Sequence, residues 1–242
     1  MPELPSWLVA LLRTLIVICL PIALVLTNVR LMMSNAFLKF EYGKSDFPPE
    51  PYGFTQADRL TYAPIALAYL FNSEGIEFLG RQHFPEGQTA PPESCQYYTT
   101  RDCTYQYNDR ELKHMADVKV VTRGAMAAWI VTGLIVIASA IVLGWRPETR
   151  PALRGGLVAG AVLTVGILLA LVAYILINFN TFFVQFHKVF FEGESWLFLW
   201  SDTLIRLFPL QFWSDAFTLI GVGALAEGIV IGAGAWFGLA AK

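Results

Sequence analysis

Long apolar stretches alternate with polar segments along this chain of 242 residues, and four of the stretches are long enough to cross a bilayer. A helix of about 20 apolar residues spans the hydrocarbon core. The predicted spans cover about residues 7–29, 120–145, 155–178 and 215–241. The pattern therefore predicts an all-α membrane protein, with one domain built on four transmembrane helices.

The first long polar segment, residues 30–119, is too patterned to be only a linker. Thr55 and Asp58 have the spacing of a capping box, and the apolar residues that follow them recur with helical periodicity. The run from 80 to 104 is rich in Pro, Gly, Ser and Thr, which is typical of a loop. We therefore expect a small, mainly helical cap.

A second helix is predicted to begin at Asn108. Its amide can accept the backbone N–H of Glu111, while the Glu111 carboxylate returns to the backbone of Asn108. No proline follows until Pro147, which predicts one long helix that ends as the second span. At helical spacing Glu111, His114 and Asp117 share a face. His114 is therefore expected in the first turns of this helix, before it enters the membrane.

The segment 179–214 contains an apolar stretch at 196–213 that Asp202, Arg206 and Pro209 interrupt. These interruptions disfavour a fifth span. Asp202 and Arg206 are four residues apart and can pair on a helix that lies flat at the membrane surface. We therefore predict one interfacial helix with its aromatic rings at headgroup depth.

Basic residues indicate the orientation of the spans. Arg146, Arg150 and Arg154 crowd the short loop 146–154, whereas the stretch 179–214 carries only two basic residues. Positive charge marks cytoplasmic loops. We therefore expect the arginine loop and both termini to be cytoplasmic, and the cap and the aromatic segment to be extracytoplasmic.

The composition excludes two classes of protein. With 55% hydrophobic residues, 15% charged residues and a mean hydropathy of +0.52, the chain has too little polar surface for a soluble globule of this size. The net charge is −2, and no cluster of basic residues could follow a phosphate backbone. Nucleic acid is therefore not an expected partner.

Two further features each allow two interpretations. Cys95 and Cys103 lie eight positions apart in the cap, where an oxidising compartment would favour a disulfide and a reducing one would leave two free thiols. Glu227 lies near the middle of the fourth span. A carboxylate at that depth marks either a functional site or a neutral side chain with a hydrogen-bond partner.

The chain has three histidines, and imidazole moves protons near neutral pH. His83 lies in the predicted loop and is expected to be solvated, whereas His114 and His187 are expected beside the membrane on one side. Neither an HExxH pattern nor a GxSxG turn accompanies them, which disfavours a zinc protease and a serine hydrolase. Two histidines are sufficient to catalyse acyl transfer within a substrate that carries both an amine and an ester. One imidazole accepts the proton of the attacking amine, and the other donates to the developing oxyanion or to the leaving alkoxide. Simple packing at the interface is the alternative.

Two motifs surround these histidines. One is YNDRELKHMADVK at residues 107–119, and the other is Phe186-His187 with the aromatic residues that follow as far as Trp213. In these motifs the chain resembles the lipoprotein intramolecular transacylase family of four-span bacterial membrane proteins, and the resemblance covers most of the chain in span order. It implies a cap over the outer ends of four helices, with the active site where cap and membrane meet. The chain differs in a longer cap.

The resemblance also implies a reaction. The sn-2 acyl chain of a diacylglyceryl-modified N-terminal cysteine moves to the α-amino group of that cysteine, giving a lyso-form lipoprotein. His114 and His187 fall on the two catalytic histidines of the family, with base and acid not assigned. No cofactor is implied. The expected partners are diacylated bacterial lipoproteins and membrane lipid, in the bacterial cytoplasmic membrane.

We expect Glu111, Asp117 and Arg110 to orient the histidines. The residues expected to line the substrate pocket are Tyr107, Phe186, Phe190, Phe191, Trp196, Trp200, Asp202, Phe212 and Trp213. Two other functions stay open. One is a metal-dependent hydrolase of lipid or peptide that uses His114, Glu111 and His187. The other is a non-catalytic membrane subunit that docks a partner through its aromatic segment.

Overall fold

Helices dominate the computed structural model, which describes residues 4–239. Within that range the extended pairing is limited to one isolated β-bridge between His83 and Tyr105. The helices are α1 (Ser6–Met32), α2 (Asn35–Tyr42), α3 (Gln56–Phe71), α4 (Glu77–Gly80), α5 (Pro92–Cys95), α6 (Asp109–Trp145), α7 (Arg150–Ile177), α8 (Phe179–Phe190), α9 (Thr203–Leu207) and α10 (Leu210–Gly238). A 3₁₀ turn at Pro147–Thr149 joins α6 to α7. The predicted all-α fold class is confirmed.

In the described part of the chain, four helices are long and apolar enough to cross a membrane, which confirms the predicted number of spans: α1, α6, α7 and α10. Positions 240 and 241, at the end of the predicted fourth span, lie outside the described residues. The 37 residues of α6 extend over about 55 Å, whereas a hydrocarbon core needs about 30 Å. The apolar part of α6 begins at Ala125, so Glu111 and His114 lie in its polar first turns, outside the spanning part.

The described chain forms two compact units. The first consists of residues 4–32, 125–177 and 217–239, and it contains the apolar helices. The second consists of residues 33–124 and 178–216, and it contains all three histidines.

Helices of the first unit approach closely at glycines. A Cβ atom added at Gly160 of α7 would lie 3.1 Å from Leu20 Cδ2 of α1. On α10, a Cβ atom at Gly232 would lie 2.9 Å from Ala161 Cβ of α7, whereas nothing lies within 4 Å of one at Gly234. Small residues let helix backbones pack together in a membrane. Gly232 therefore makes a helix contact, and Gly234 does not.

Glu227 of α10 has a polar partner inside the first unit. Asn28 Nδ2 of α1 donates a hydrogen bond to Glu227 Oε2 over 2.9 Å, and Asn28 is buried. A Cβ atom at Gly223 would collide with Asn28 Oδ1, so the glycine makes room for the amide. The structure therefore favours the interpretation of Glu227 as a hydrogen-bonded residue of the helix interface.

The second unit has a core shared by three helices. The capping box predicted for α3 is confirmed, because Asp58 N–H donates to Thr55 Oγ1 over 3.1 Å and Thr55 N–H donates to Asp58 Oδ2 over 2.7 Å. Helices α3, α6 and α9 contribute most of the buried apolar cluster: Ala66, Tyr69, Leu70, Leu79, Tyr107, Leu112, Met115 and Leu204. The start of α6 is thereby fixed within the core of the second unit.

The loop that follows α4 is closed on itself. Cys95 and Cys103 form a disulfide, with their Cα atoms 5.5 Å apart. Ala90 N–H also donates to the carbonyl of Cys103 over 2.8 Å. The exposed ring of His83 packs on Tyr105 with the centroids 3.9 Å apart, in agreement with the prediction of a solvated loop histidine.

The prediction of one interfacial helix across 196–213 is wrong, because the stretch contains a loop, the five-residue helix α9 and the start of α10. The predicted side-chain pair is also wrong. Asp202 pairs with Arg110 at 2.6 Å, and Arg206 pairs with Glu50 at 2.8 Å. Both carboxylates are buried, and a buried charge needs a close partner. Cations and anions from distant parts of the sequence provide those partners.

We expect Gly232→Leu to lower the free energy of unfolding by about 1–3 kcal/mol, because the added side chain would overpack the contact with Ala161. The matched control is Gly234→Leu on the same helix, where the space is open. Thermal unfolding in detergent micelles, followed by circular dichroism, measures the difference. Equal destabilisation by the two variants would contradict this packing.

Candidate active site

His114 on α6 and His187 on α8 lie side by side in the second unit. Their ring centroids are 6.1 Å apart, and the ring planes meet at 26°. Both are buried, with exposed fractions of 7% and 9%. The structure therefore brings together the two histidines that the sequence predicts as a pair.

The backbone of α8 sets the tautomer of His187. The side chain of Asn178 caps the helix by accepting the N–H of Thr181 over 3.0 Å, and His187 falls in the last turn. His187 Nδ1 lies 2.8 Å from the carbonyl oxygen of Phe183. Because a carbonyl only accepts, Nδ1 carries the hydrogen, and the neutral ring has its lone pair on Nε2. Burial lowers the pKa of His187, and the hydrogen bond to Phe183 opposes that effect.

His114 is held as a neutral imidazole. Burial, with a smaller contribution from the charge of His187, lowers the pKa of His114 to about 4. Its Nδ1 atom is buried and has no hydrogen-bond partner among the residues described. A neutral imidazole always has one N–H and one lone pair, so His114 can offer a hydrogen bond without carrying charge.

Aromatic rings surround the pair. Phe191 lies 4.8 Å from the ring centroid of His114 and 5.6 Å from that of His187. Trp196 lies 4.9 Å from the His187 ring, and Phe198 lies 5.3 Å from the His114 ring. This apolar setting disfavours the charged form of an imidazole, which explains the low pKa values.

Glu111 joins the start of α6 to the first turn of α9. It is fully buried, and its carboxylate accepts the N–H of Asn108 over 2.9 Å and the N–H of Leu204 over 2.7 Å. Asn108 Oδ1 accepts the N–H of Glu111 in return over 2.9 Å, which confirms the predicted capping box of α6. Burial, and secondarily the charge of Asp202, raises the pKa of Glu111 to about 8, against the effect of the two backbone donors.

Asp202 makes the second connection between these segments. Its buried carboxylate accepts Asn108 Nδ2 over 2.9 Å and the N–H of Leu199 over 2.8 Å. Arg110 Nη2 donates to the same carboxylate over 2.6 Å. The guanidinium carbon of Arg110 also lies 3.9 Å from the ring centroid of Tyr97. Arg110 is therefore fixed from two sides, one helical turn before His114.

Glu111 and Asp117, two of the residues expected to orient the histidines, have different surroundings. Glu111 acts through the backbone of Asn108 and Leu204, and Asp117 is exposed. Neither carboxylate bonds to the buried Nδ1 of His114, so an orienting role for these two residues stays a prediction.

The expected pocket residues fall into two groups. Phe191 and Trp196 contact the histidine rings as described above, and Phe186 lies 5.7 Å from the ring of His187. Phe190 packs on Phe186 with the centroids 4.8 Å apart. Trp213 reaches the site less directly, through its contact with Phe183.

The other expected pocket residues lie elsewhere in the second unit. Tyr107 belongs to the buried core, and the ring of Trp200 is 71% exposed. Phe212 packs on Phe37 and Tyr42 of α2. The contacts described for these three residues are not with the histidine rings, and their assignment to the substrate pocket stays a prediction.

Sequence reasoning missed two residues of the site, Phe198 and Phe183. Phe183 could have been found, because it precedes His187 by four residues and shares a helix face with it. Phe198 lies in the loop before Asp202, and its contact with His114 depends on the long-range bonds of Asp202.

The hydrolase hypothesis requires Glu111 to join the histidines as a metal ligand. Both oxygens of Glu111 are engaged by backbone N–H groups instead. Between residues 4 and 239, no group of three or more His, Cys, Asp or Glu side chains has the arrangement of a metal site. The site geometry therefore gives this hypothesis no support.

One protein family matches most of the chain. The family described as lipoprotein intramolecular transacylase Lit matches residues 14–213 of the chain. An uncharacterized protein of Aquifex aeolicus (strain VF5) is 27% identical over 221 residues, which are 91% of this chain and 91% of that protein.

Solved structures share the fold. The membrane integral lipoprotein intramolecular transacylase Lit from Bacillus cereus superimposes with a TM-score of 0.72 at 20% sequence identity, over 95% of this chain and 94% of that one. A variant of the same protein, with one histidine replaced by alanine, gives a TM-score of 0.67 at 19% identity over 96% and 94% of the two chains.

The low pKa of His114 predicts a pH dependence of stability. The folded protein keeps His114 neutral down to pH about 4, while the unfolded chain binds this proton below pH about 6.5, so acid favours unfolding across that window. We expect the His114 contribution to the free energy of unfolding to fall by about 3 kcal/mol from pH 7 to pH 4. The substitution His114→Asn should remove this pH-dependent contribution.

The measurement is denaturant unfolding in micelles at several pH values for the parent protein, His114→Asn and the control His83→Asn, in which the exposed ring is replaced. The pH slope of each variant is compared with that of the parent protein, because Glu111 also contributes to the slope. The raised pKa of Glu111 makes the free energy of unfolding increase as the pH falls, over a pH range that overlaps that of His114. The same pH slope in His114→Asn and in the parent would contradict the assignment.

Proposed function

We propose, since the chain belongs to the lipoprotein intramolecular transacylase Lit family, that it moves the sn-2 acyl chain of a diacylglyceryl-modified N-terminal cysteine to the α-amino group of the same cysteine. The product is a lyso-form lipoprotein. One observation carries the mechanism: two buried, neutral imidazoles lie 6.1 Å apart among aromatic rings.

The substrate brings both reacting groups. Its amine nitrogen attacks the ester carbonyl carbon, the new C–N bond forms, and the bond from that carbon to the glycerol oxygen breaks. One proton leaves the nitrogen, and one proton reaches the glycerol oxygen. The protein therefore needs to align the two groups and to move a proton, and alignment of an intramolecular step is worth on the order of 7–11 kcal/mol.

We assign the proton acceptor to His187. The hydrogen bond from Nδ1 to the carbonyl of Phe183 supports a lone pair on Nε2, and it opposes the loss of basicity that burial causes. Nε2 takes the proton from the attacking amine and later returns it to the glycerol oxygen.

We assign the hydrogen-bond donor to His114. Its low pKa supports a neutral ring, and a neutral N–H can stabilise the oxyanion that develops on the ester carbonyl. The rings of Phe191 and Phe198 beside it keep water away, so water competes less as a nucleophile. Arg110, held by Asp202 and Tyr97, is a positioning residue that fixes the polar edge of this site.

The proposed location is the bacterial cytoplasmic membrane, with both termini in the cytoplasm and the histidine site on the extracytoplasmic side. Arg146, Arg150 and Arg154 in the loop between the second and third spans support this orientation. The lipid of a diacylated lipoprotein is anchored in the outer leaflet of this membrane, which is the leaflet next to a site on the extracytoplasmic side.

We expect the purified protein to convert a synthetic diacylated lipopeptide to its N-acyl, S-monoacylglyceryl isomer. Because the two have equal mass, tandem mass spectrometry of the N-terminal fragment detects the transfer. His114→Asn and His187→Asn should each lower the rate by at least about 100-fold, since each removes a proton-transfer or oxyanion group. His83→Asn is the matched control and should keep full activity.

Full activity in both His114→Asn and His187→Asn would refute the mechanism. A second substrate separates transfer from hydrolysis: the same lipopeptide with its α-amine acetylated lacks the nucleophile and should not react. Release of free fatty acid from that substrate would identify a hydrolase instead.

A further inference from the structure

A groove runs along the outside of α7 in the first unit, away from the histidine site in the sequence. Its volume is about 510 Å³, and its walls include Arg154, Gly155, Val158, Ala159, Val162 and Trp236. The groove residues of α7 recur at helical spacing, so they form one continuous strip. From Arg154 to Leu163 this strip is about 14 Å long.

The two ends of the groove differ in chemistry. At one end the guanidinium carbon of Arg154 lies 4.5 Å from the ring centroid of Trp236. The Nε atom of Arg154 is buried without a hydrogen-bond partner among the described residues. A Cβ atom at Gly155 would lie 3.4 Å from the guanidinium carbon of Arg13, so a second guanidinium stands beside the groove. The other end is apolar.

This pairing of a cationic end with an apolar strip matches one component of a bilayer. A phospholipid has a phosphate that accepts hydrogen bonds from guanidinium groups and an acyl chain that fits an apolar groove. The N-terminal end of α7 adds a partial positive charge, and the indole of Trp236 suits the depth of the headgroups. A headgroup with a net negative charge is bound most favourably at this end of the groove, because the guanidinium groups of Arg154 and Arg13 lie there.

We propose that this groove binds an anionic phospholipid, with the phosphate at Arg154 and one acyl chain along Val158, Ala159 and Val162. The bound lipid lies against α7 and, through Trp236, against α10. The site is independent of the proposed function, because no residue of the histidine site contributes to it.

The experiment uses the purified full-length protein in detergent micelles with phosphatidylglycerol or phosphatidylcholine of identical acyl chains, and native mass spectrometry counts the bound lipid. We expect phosphatidylglycerol to bind about 10-fold more tightly, which corresponds to one favourable charged contact. Arg154→Gln should abolish the preference. Ala159→Phe should weaken the binding of both lipids, because it fills the groove and keeps the charge.

Arg150→Gln is the matched control. Arg150 lies one turn earlier on the same helix, is exposed, and donates to the carbonyl of Gly144 over 3.2 Å. This variant should keep the preference. An equal loss in Arg150→Gln and Arg154→Gln, or equal binding of the two lipids by the parent protein, would overturn the proposal. Circular dichroism of each variant verifies folding, and Ala159→Phe tests the groove if Arg154→Gln does not fold.

Discussion

Two buried carboxylates, Glu111 and Asp202, determine how the chain is arranged around His114. Each accepts several hydrogen bonds, and those donors come from the start of α6 and from the segment between Leu199 and Leu204. A buried carboxyl group without its hydrogen-bond partners destabilises the fold, so the two segments must close on each other for Glu111 and Asp202 to keep those partners. The position of Phe198, whose ring packs on His114, follows from this closure.

The same burial has a second effect on the chemistry. Groups that cannot reach water resist gaining charge, so both imidazoles are neutral at neutral pH. In an apolar environment, a hydrogen bond to developing negative charge is stronger than it would be in water. The same burial lowers the stability of the folded protein in acid, because the unfolded chain binds the protons that the buried rings exclude.

Local signals predicted the four long helices and α3, and long-range contacts explain the errors. The Thr55–Asp58 capping box and the uninterrupted run of α6 depend on neighbours in sequence, which a single chain reveals. Asp202 and Arg206 also have pair spacing, yet their side chains bond to residues more than 90 positions away. The contact of Phe198 with His114 depends on those bonds, and no periodicity in the sequence could indicate it.

The disulfide between Cys95 and Cys103 closes the loop that carries Tyr97, and the ring of Tyr97 packs on the guanidinium of Arg110. The support of Arg110 on this side therefore depends on the oxidation of two thiols that lie several residues away from it in sequence. Thiols stay reduced in some compartments and pair in others, so the redox state around the folding chain sets how firmly the loop holds the ring of Tyr97.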